Sequence, residues 1–321
     1  MWRSGPSPGA AELRLAFKSQ RGLFIAAIVF SSAVNLLMLT SPLYMLQVYD
    51  RVLGSQSEAT LVALTLLMTA LFVIMAVFDH LRSRILARIG AGLQDALDPR
   101  VFNAALTRQS TAPDDTAALA AQRDVEAIRT FWSSQSVTAL IDMPWAPVYF
   151  AAIFIFHPIL GWLAIAGAAV ILGMALLNQR NTRHALQRAN ETALLADRQA
   201  DRMRAEAETL RALGMTGAAF ARWQKTRSTA LLENIAAGDS GGSWSAASRG
   251  FRLYLQSAML GLAAWVVLQG ELTAGAMIAA SILMGRALQP IEQTVAQWPI
   301  LTRTLEARAR LADLLSVSYT H

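Results

Sequence analysis

Cysteine is absent from the 321 residues, which excludes disulfides, cysteine-ligated metal sites and cysteine nucleophiles. Lysine is nearly absent, because Lys18 and Lys225 are the only two and neither follows a glycine-rich loop. The sequence therefore has no G-x-x-x-x-G-K-[ST] motif, whose lysine and backbone amides hold ATP phosphates. It also lacks HExxH and other metal-ligand spacings. These absences exclude a P-loop ATPase site and the common metal sites from the sequence.

Charged residues are also scarce, at 16% of the chain against 54% hydrophobic residues, where a soluble domain has about 25% charge. Two stretches, Gly22–Tyr49 and Ala59–Phe78, contain no charged residue. A bilayer core requires about 20 consecutive apolar residues as helix, and lipid leaves backbone groups no other partner. The sequence therefore predicts an all-α membrane protein.

Hydropathy and turn residues predict six spans, with His157-Pro158 as the tight turn between the third and fourth. The spans are residues 22–46, 59–79, 133–156, 159–178, 244–269 and 273–299. The two long connections, 80–130 and 179–243, are polar and helical by period. We expect breaks in the first at Asp98-Pro99 and Ala112-Pro113.

Basic residues near the span ends predict the orientation. Residues 1–21 carry four Lys or Arg, 80–130 carry seven, 179–252 carry twelve, and the segment after Ile300 carries three. The alternate connections carry only Arg51. We therefore expect both termini and both long connections in the cytoplasm. Helices of that length would extend tens of ångströms from the bilayer at 1.5 Å per residue, which favours contact with a cytoplasmic partner.

Four local sequences resemble a known family. They are SPLYMLQVYDRVL from Ser41, DMPWAPVY from Asp142 with a following Phe-His-Pro, GRALQPIEQ from Gly285, and LRALGM from Leu210. Together they resemble the transmembrane domain of type I ABC exporters of the protease- and RTX-exporting kind, over about residues 12–315. The motif residues are Pro42, Tyr49, Asp50, Arg51, Pro144, Trp145, Pro147 and Pro290.

The resemblance implies a six-span ABC exporter type I domain with long cytoplasmic helical extensions. Residues 1–20 would be a cytoplasmic tail, 21–310 the transmembrane domain, and 311–321 a truncated linker to a nucleotide-binding domain. That domain, and not this chain, would bind ATP and magnesium. Two subunits would dimerise, and coupling segments near 114–129 and 206–223 would contact the nucleotide-binding domain.

The resemblance, with the topology, assigns coupling to five residues at the hairpin tips: Asp124, Arg129, Leu213, Gly214 and Met215. The alternatives are an ordinary charged helix surface for the first two and a packing glycine at 214.

Two ionisable residues, Arg286 and Glu292, lie in the sixth apolar segment, where charge usually faces a cavity or a partner. They are predicted to line a water-filled translocation pathway. The alternative is that the helix leaves the bilayer there and Arg286 reaches the interface. Asp142 is similarly ambiguous.

The segment Gly238–Gly242 reads GDSGG, the nucleophile motif of trypsin-like proteases. That function is rejected because no histidine lies in a β-strand context, and a glycine-rich break before the fifth span is expected instead. The tryptophans suit membrane interfaces better than base stacking, so no nucleic-acid partner is predicted.

Three functional hypotheses remain open. The first, implied by the resemblance, is an ATP-driven exporter in the bacterial inner membrane that secretes polypeptides with C-terminal signals, together with a periplasmic adaptor and an outer-membrane channel. The second is a natural half-transporter that recruits a separate ATPase. The third is a membrane enzyme, and the sequence lacks the clustered His or Asp motifs that would support it.

We expect the chain to be a fragment, since the helical pattern breaks at Ser316 and the final residues match one frame of a transposon sequencing adapter.

Overall fold

Regular structure in the described part of the chain, residues 8–111 and 116–317 of a computed structural model, is entirely helical. The α-helices are α1 (Pro8–Ser19), α2 (Arg21–Leu37), α3 (Thr40–Gln47), α4 (Leu53–Ser55), α5 (Glu58–Thr111), α6 (Thr116–Trp132), α7 (Gln135–Asp142), α8 (Ala146–Phe156), α9 (Pro158–Ala205), α10 (Ala207–Ala212), α11 (Thr216–Leu268), α12 (Ala274–Ala296) and α13 (Trp298–Val317). A π-helical segment, Val48–Val52, joins α3 to α4, and a 3-10 turn, Met143–Trp145, joins α7 to α8. The predicted all-α class is confirmed.

Six helical segments within the described ranges are long and apolar enough to cross a membrane, as predicted. They are Arg21–Ser55, Glu58–Ser110, Gln135–Phe156, Pro158–Thr182, Thr216–Leu268 and Ala274–Ala296. The predicted turn at His157-Pro158 is also present, because His157 is extended and α9 begins at Pro158.

The predicted break at Asp98-Pro99 is wrong, since α5 continues through Pro99 to Thr111. A proline inside a helix removes one hydrogen bond and costs about 3 kcal/mol. Leu97 and Val101, on either side of it, are almost fully buried in one apolar cluster. Packing of this helix face therefore outweighs the local defect. The other expected break, at Ala112-Pro113, lies outside the described residues.

The glycine-rich break expected at Gly238–Gly242 is also wrong, because α11 is continuous from Thr216 to Leu268. Small side chains suit a close helix contact here: the Ser240 hydroxyl lies 3.4 Å from that of Thr182. The Gly-Asp-Ser-Gly-Gly sequence is thus part of a continuous helix, which contacts α9 at Ser240. The break expected at Ser316 does not occur either, as α13 runs to Val317. Residues 318–321 lie outside the described ranges.

Contacts divide the chain into two compact units, one of residues up to 166 and from 255 onward, the other of residues 167–254. In the first unit, α5 packs against α6 and α2, while α13 packs against α6 and α1. One apolar cluster joins α1, α5, α6 and α13; its buried members include Leu13, Leu97, Val101, Val125, Ile128, Leu311, Leu314 and Leu315. The C-terminal helix is therefore part of the core of this unit.

The second unit is an antiparallel pair formed by the distal part of α9 and the proximal part of α11. Thr192 donates a hydrogen bond to Glu233, and Arg227 lies 3.9 Å from Asp197. A contact later in α9 is therefore made with a residue earlier in α11, which shows that the two helices are antiparallel. Helix α10 lies at the turn of this hairpin.

Candidate functional site

A buried polar network joins the first three spans. The Arg82 guanidinium donates to both carboxylate oxygens of Asp142, at 3.0 and 3.1 Å, and to the Ser31 hydroxyl at 3.1 Å. The amide of Asn35 donates to Asp142 Oδ1 at 2.6 Å. The hydroxyl of Tyr149 donates to the Asn35 carbonyl oxygen at 2.9 Å. Charge that would be costly in lipid is thereby paired inside the protein.

The sequence singled out Asp142 but not its partners. A signal for them was available, because Asn35 is the only amide side chain between Gly22 and Leu46, and Arg82 follows directly on the second apolar run. A buried carboxylate requires a cation or several donors. The sequence alone could not show which helices bring them together.

The carboxyl-terminal part of the first span meets the amino terminus of the sixth at Asp50. Its Oδ1 accepts from the backbone N–H of Gly275 at 2.9 Å, and its Oδ2 accepts from the Thr273 hydroxyl at 2.7 Å. A carboxylate at a helix N-terminus is stabilised by the free amides and the dipole. A Cβ on Gly275 would lie 2.6 Å from Oδ1 and 2.7 Å from the Leu46 carbonyl oxygen, so this approach requires glycine.

The other motif residues have different environments. Pro42 is buried in α3, whereas Tyr49 and Arg51 are exposed on the π-helical segment. Pro144 and Pro147 are exposed, in the 3-10 turn and in the first turn of α8. Proline is compatible with first turns because the N–H groups there lack helical partners.

Trp145 and Pro290 complete the set of motif residues. Trp145 is half-buried in the 3-10 turn, and Pro290 is buried inside α12. The functional role of these motif residues stays a prediction.

The first predicted coupling segment contains a bidentate ion pair between α6 and α13. Arg310 donates from Nε to Asp124 Oδ2 at 2.8 Å and from Nη2 to Oδ1 at 2.6 Å. Asp124 is only 5% exposed, and its hydrogen bonds raise the pKa of Arg310. The Asp124 carboxylate is thus engaged within its own chain, and its predicted contact with a nucleotide-binding domain stays a prediction.

Arg129 has a different environment, because its guanidinium pairs with Glu126 one turn earlier on the exposed face of α6. This hydrogen bond lowers the pKa of Glu126 and raises that of Arg129. Solvent-exposed pairs contribute little to stability, which leaves Arg129 available at the surface. Its coupling role also stays a prediction.

The second predicted coupling segment has a helix end that explains Gly214. Its φ of +67° is unfavourable for any side chain with a Cβ. The N–H of Met215 donates to the Leu210 carbonyl, and that of Gly214 donates to the Arg211 carbonyl, as in a Schellman motif. Leu213 and Met215 flank the glycine and are 64% and 49% exposed. The turn therefore presents apolar side chains to solvent.

The two ionisable residues of the sixth span are both half-buried. Arg286 donates to the Gln289 side-chain oxygen at 3.4 Å and lies 4.0 Å from the Met38 sulfur. Glu292 lies one turn and a half further along α12. Neither contact tests the predicted translocation pathway, which stays a prediction.

We expect Arg82→Gln to lower the free energy of unfolding by about 3–5 kcal/mol, because it leaves the buried Asp142 carboxylate without its cation. Asp142→Asn should cost less, because Arg82 keeps its ion pair with Asp79. The double variant should lose less free energy of unfolding than the sum of the losses in the two single variants. Thermal unfolding in detergent, analysed as a double-mutant cycle, measures the coupling. Additive losses would contradict a direct interaction.

The comparisons with known proteins are consistent with this architecture. The family described as the ABC transporter transmembrane region matches residues 24–290. The chain is 35% identical over 306 residues to the type I secretion system ATP-binding protein PrsD of Rhizobium meliloti, covering 95% of this chain and 53% of that protein.

More distant relatives include the Escherichia coli alpha-hemolysin translocation ATP-binding protein HlyB, 24% identical over 92% of this chain and 42% of that protein. The toxin RTX-I translocation ATP-binding protein of Actinobacillus pleuropneumoniae is 22% identical over the same shares. The chain thus spans about half the length of the curated relatives it matches. With six membrane-type helices and a family match over residues 24–290, the chain belongs to the ABC transporter transmembrane family, among homologues that are type I secretion exporters.

Proposed function

We propose that this chain is the membrane-spanning part of an ATP-driven exporter that secretes polypeptides carrying C-terminal signals through a type I secretion system. The names of its relatives, which include a type I secretion protein and two toxin translocation proteins, support this assignment. Two copies form the transport path, and a periplasmic adaptor and an outer-membrane channel continue it across the envelope.

The apolar turn around Gly214 carries the proposal. Leu213, Met215 and Phe220 are each about half exposed or more, at the end of a hairpin whose helices also carry many charged residues. Exposed apolar groups of this kind usually mark a protein contact. A nucleotide-binding domain docked there supplies ATP and magnesium and transmits its closure through the hairpin.

The ATPase is either continuous with this chain or a separate subunit. Purification from the native host distinguishes these arrangements. An ATPase of its own molecular mass that co-purifies with the chain supports a half-transporter, whereas one polypeptide longer than 321 residues that carries both parts supports a fused exporter.

Both termini and both long hairpins lie in the cytoplasm under this proposal, in a bacterial inner membrane. The chain has no cysteine, so single cysteines can be labelled specifically. We expect Gly54→Cys to react with an impermeant maleimide added to intact spheroplasts, and Ala205→Cys to react only after lysis. Labelling of Ala205→Cys from outside would reverse the orientation.

Gly214→Val should uncouple ATP hydrolysis from export. A residue with a Cβ at a left-handed position is strained by about 1–3 kcal/mol. Strain of this size reduces the fraction of molecules that keep the native turn at residue 214 about tenfold. The matched control is Gly217→Val, because Gly217 is also exposed on this hairpin and has open space around it but no left-handed φ.

The test uses a chimera of this chain with the part of PrsD that it does not cover, expressed with the partner proteins of that secretion system. Gly214→Val should retain ATP hydrolysis while secretion of a polypeptide with a C-terminal signal falls about tenfold. Equal secretion by the two valine variants would show that this turn does not couple the domains. A parent chimera that hydrolyses ATP without secreting the polypeptide would contradict the proposed substrate class.

A further inference from the structure

A groove in the first unit lies outside every contact assigned above. It is bordered by α1, the beginning of α2, α6 and α13, and has a volume of about 990 Å³. Its floor is apolar and includes Phe17, Phe24, Phe131, Trp132 and Leu301. The volume is within the range of sites that hold small molecules or cofactors.

An aromatic cluster centred on Trp132 forms this floor. The Trp132 ring centroid lies 4.9 Å from that of Phe24 in an edge-to-face arrangement, 6.0 Å from Phe17 and 5.8 Å from Phe131. Such packing fixes the ring positions. The groove is therefore a built apolar surface rather than a gap between mobile side chains.

Four cations line the same groove: Arg14, Lys18, Arg21 and Arg308. The first three recur at helical spacing, so they follow one face of the chain from α1 into α2. Among the described residues lining the groove there is no acid. No hydrogen bond or ion pair joins any of the four side chains to another described residue. The groove thus combines an apolar floor with unneutralised positive charge.

The groove lies at the beginning of the first membrane-type segment. Arg21 is the first residue of that segment, Arg14 and Lys18 precede it, and Phe24 and Ile25 lie within it. The rest of the aromatic floor, Phe17, Phe131 and Trp132, lies within a few residues of the beginning of a membrane-type segment. The cations and the apolar floor therefore meet where the spans begin. This arrangement matches the boundary between phospholipid headgroups and acyl chains.

We propose that the groove binds one anionic phospholipid, with its phosphate at the cations and an acyl chain along the aromatic floor. Basic pockets between membrane helices suit anionic headgroups. A neutral occupant would leave the cations uncompensated, and a soluble anion would leave the aromatic floor exposed. This inference goes beyond the proposed function and holds for any transported substrate.

The test is lipid retention by the full chain, measured by native mass spectrometry in detergent titrated with phosphatidylglycerol or phosphatidylcholine. The groove variant combines Arg14→Gln, Lys18→Gln and Arg308→Gln. The control combines Arg211→Gln, Arg222→Gln and Lys225→Gln, which removes the same charge from exposed positions on the second unit. All six side chains are exposed, so both variants should fold, as gel filtration and thermal unfolding will verify.

We expect one tightly retained phosphatidylglycerol in the parent and in the control. The groove variant should bind it on the order of a hundredfold more weakly, and Lys18→Gln alone about fivefold, because each cation near a headgroup adds a comparable increment. Equal retention of phosphatidylcholine, or equal weakening in the control, would contradict a specific site.

Two further outcomes would overturn the proposal. Displacement of the phospholipid by glycerol phosphate at similar concentration would identify a site for soluble phosphates. Loss of self-association in the groove variant, with lipid retention unchanged, would identify the groove as a contact with a second copy.

Discussion

The ion pair between Asp124 and Arg310 is the contact on which the packing of the first hairpin against the C-terminal helix depends. Both carboxylate oxygens accept from the guanidinium, and the pair adjoins the apolar cluster that α13 shares with α5 and α6. Arg108 and Asp313, 3.3 Å apart, add a second connection between α5 and α13. The first hairpin and the C-terminal helix are therefore held as one body.

Polar contacts elsewhere in the first unit have a different physical role. Inside the apolar spans, Arg82 and Asp142 satisfy each other in surroundings where solvent cannot. At the other ends of these helices, Asp50 joins the first span to the amino terminus of the sixth. By contrast, the turn at Gly214 exposes the apolar side chains of Leu213 and Met215. The protein thus joins its spans by internal polar contacts and exposes apolar side chains at this turn.

Sequence reasoning succeeded where one local property determines the structure. Long charge-free runs can only be helices in a bilayer, so the six spans followed from composition. It failed where packing overrides local preference, as at Pro99, which Leu97 and Val101 hold within a continuous helix. It also missed long-range partners: Asp142 and Asp124 were recognised, but Arg82 and Arg310 were not, because only the fold brings them together.

The most direct test of the one-body account is the distance between α6 and α13. Spin labels are attached at Gln122→Cys on α6 and at Ala309→Cys on α13, both at exposed positions. Arg308 is avoided because it lines the lipid groove. Double electron–electron resonance should give a single narrow distance distribution in the parent. Adding Asp124→Asn should broaden it, because the amide cannot hold both guanidinium nitrogens. A broad distribution in the parent, or one unchanged by Asp124→Asn, would contradict the account.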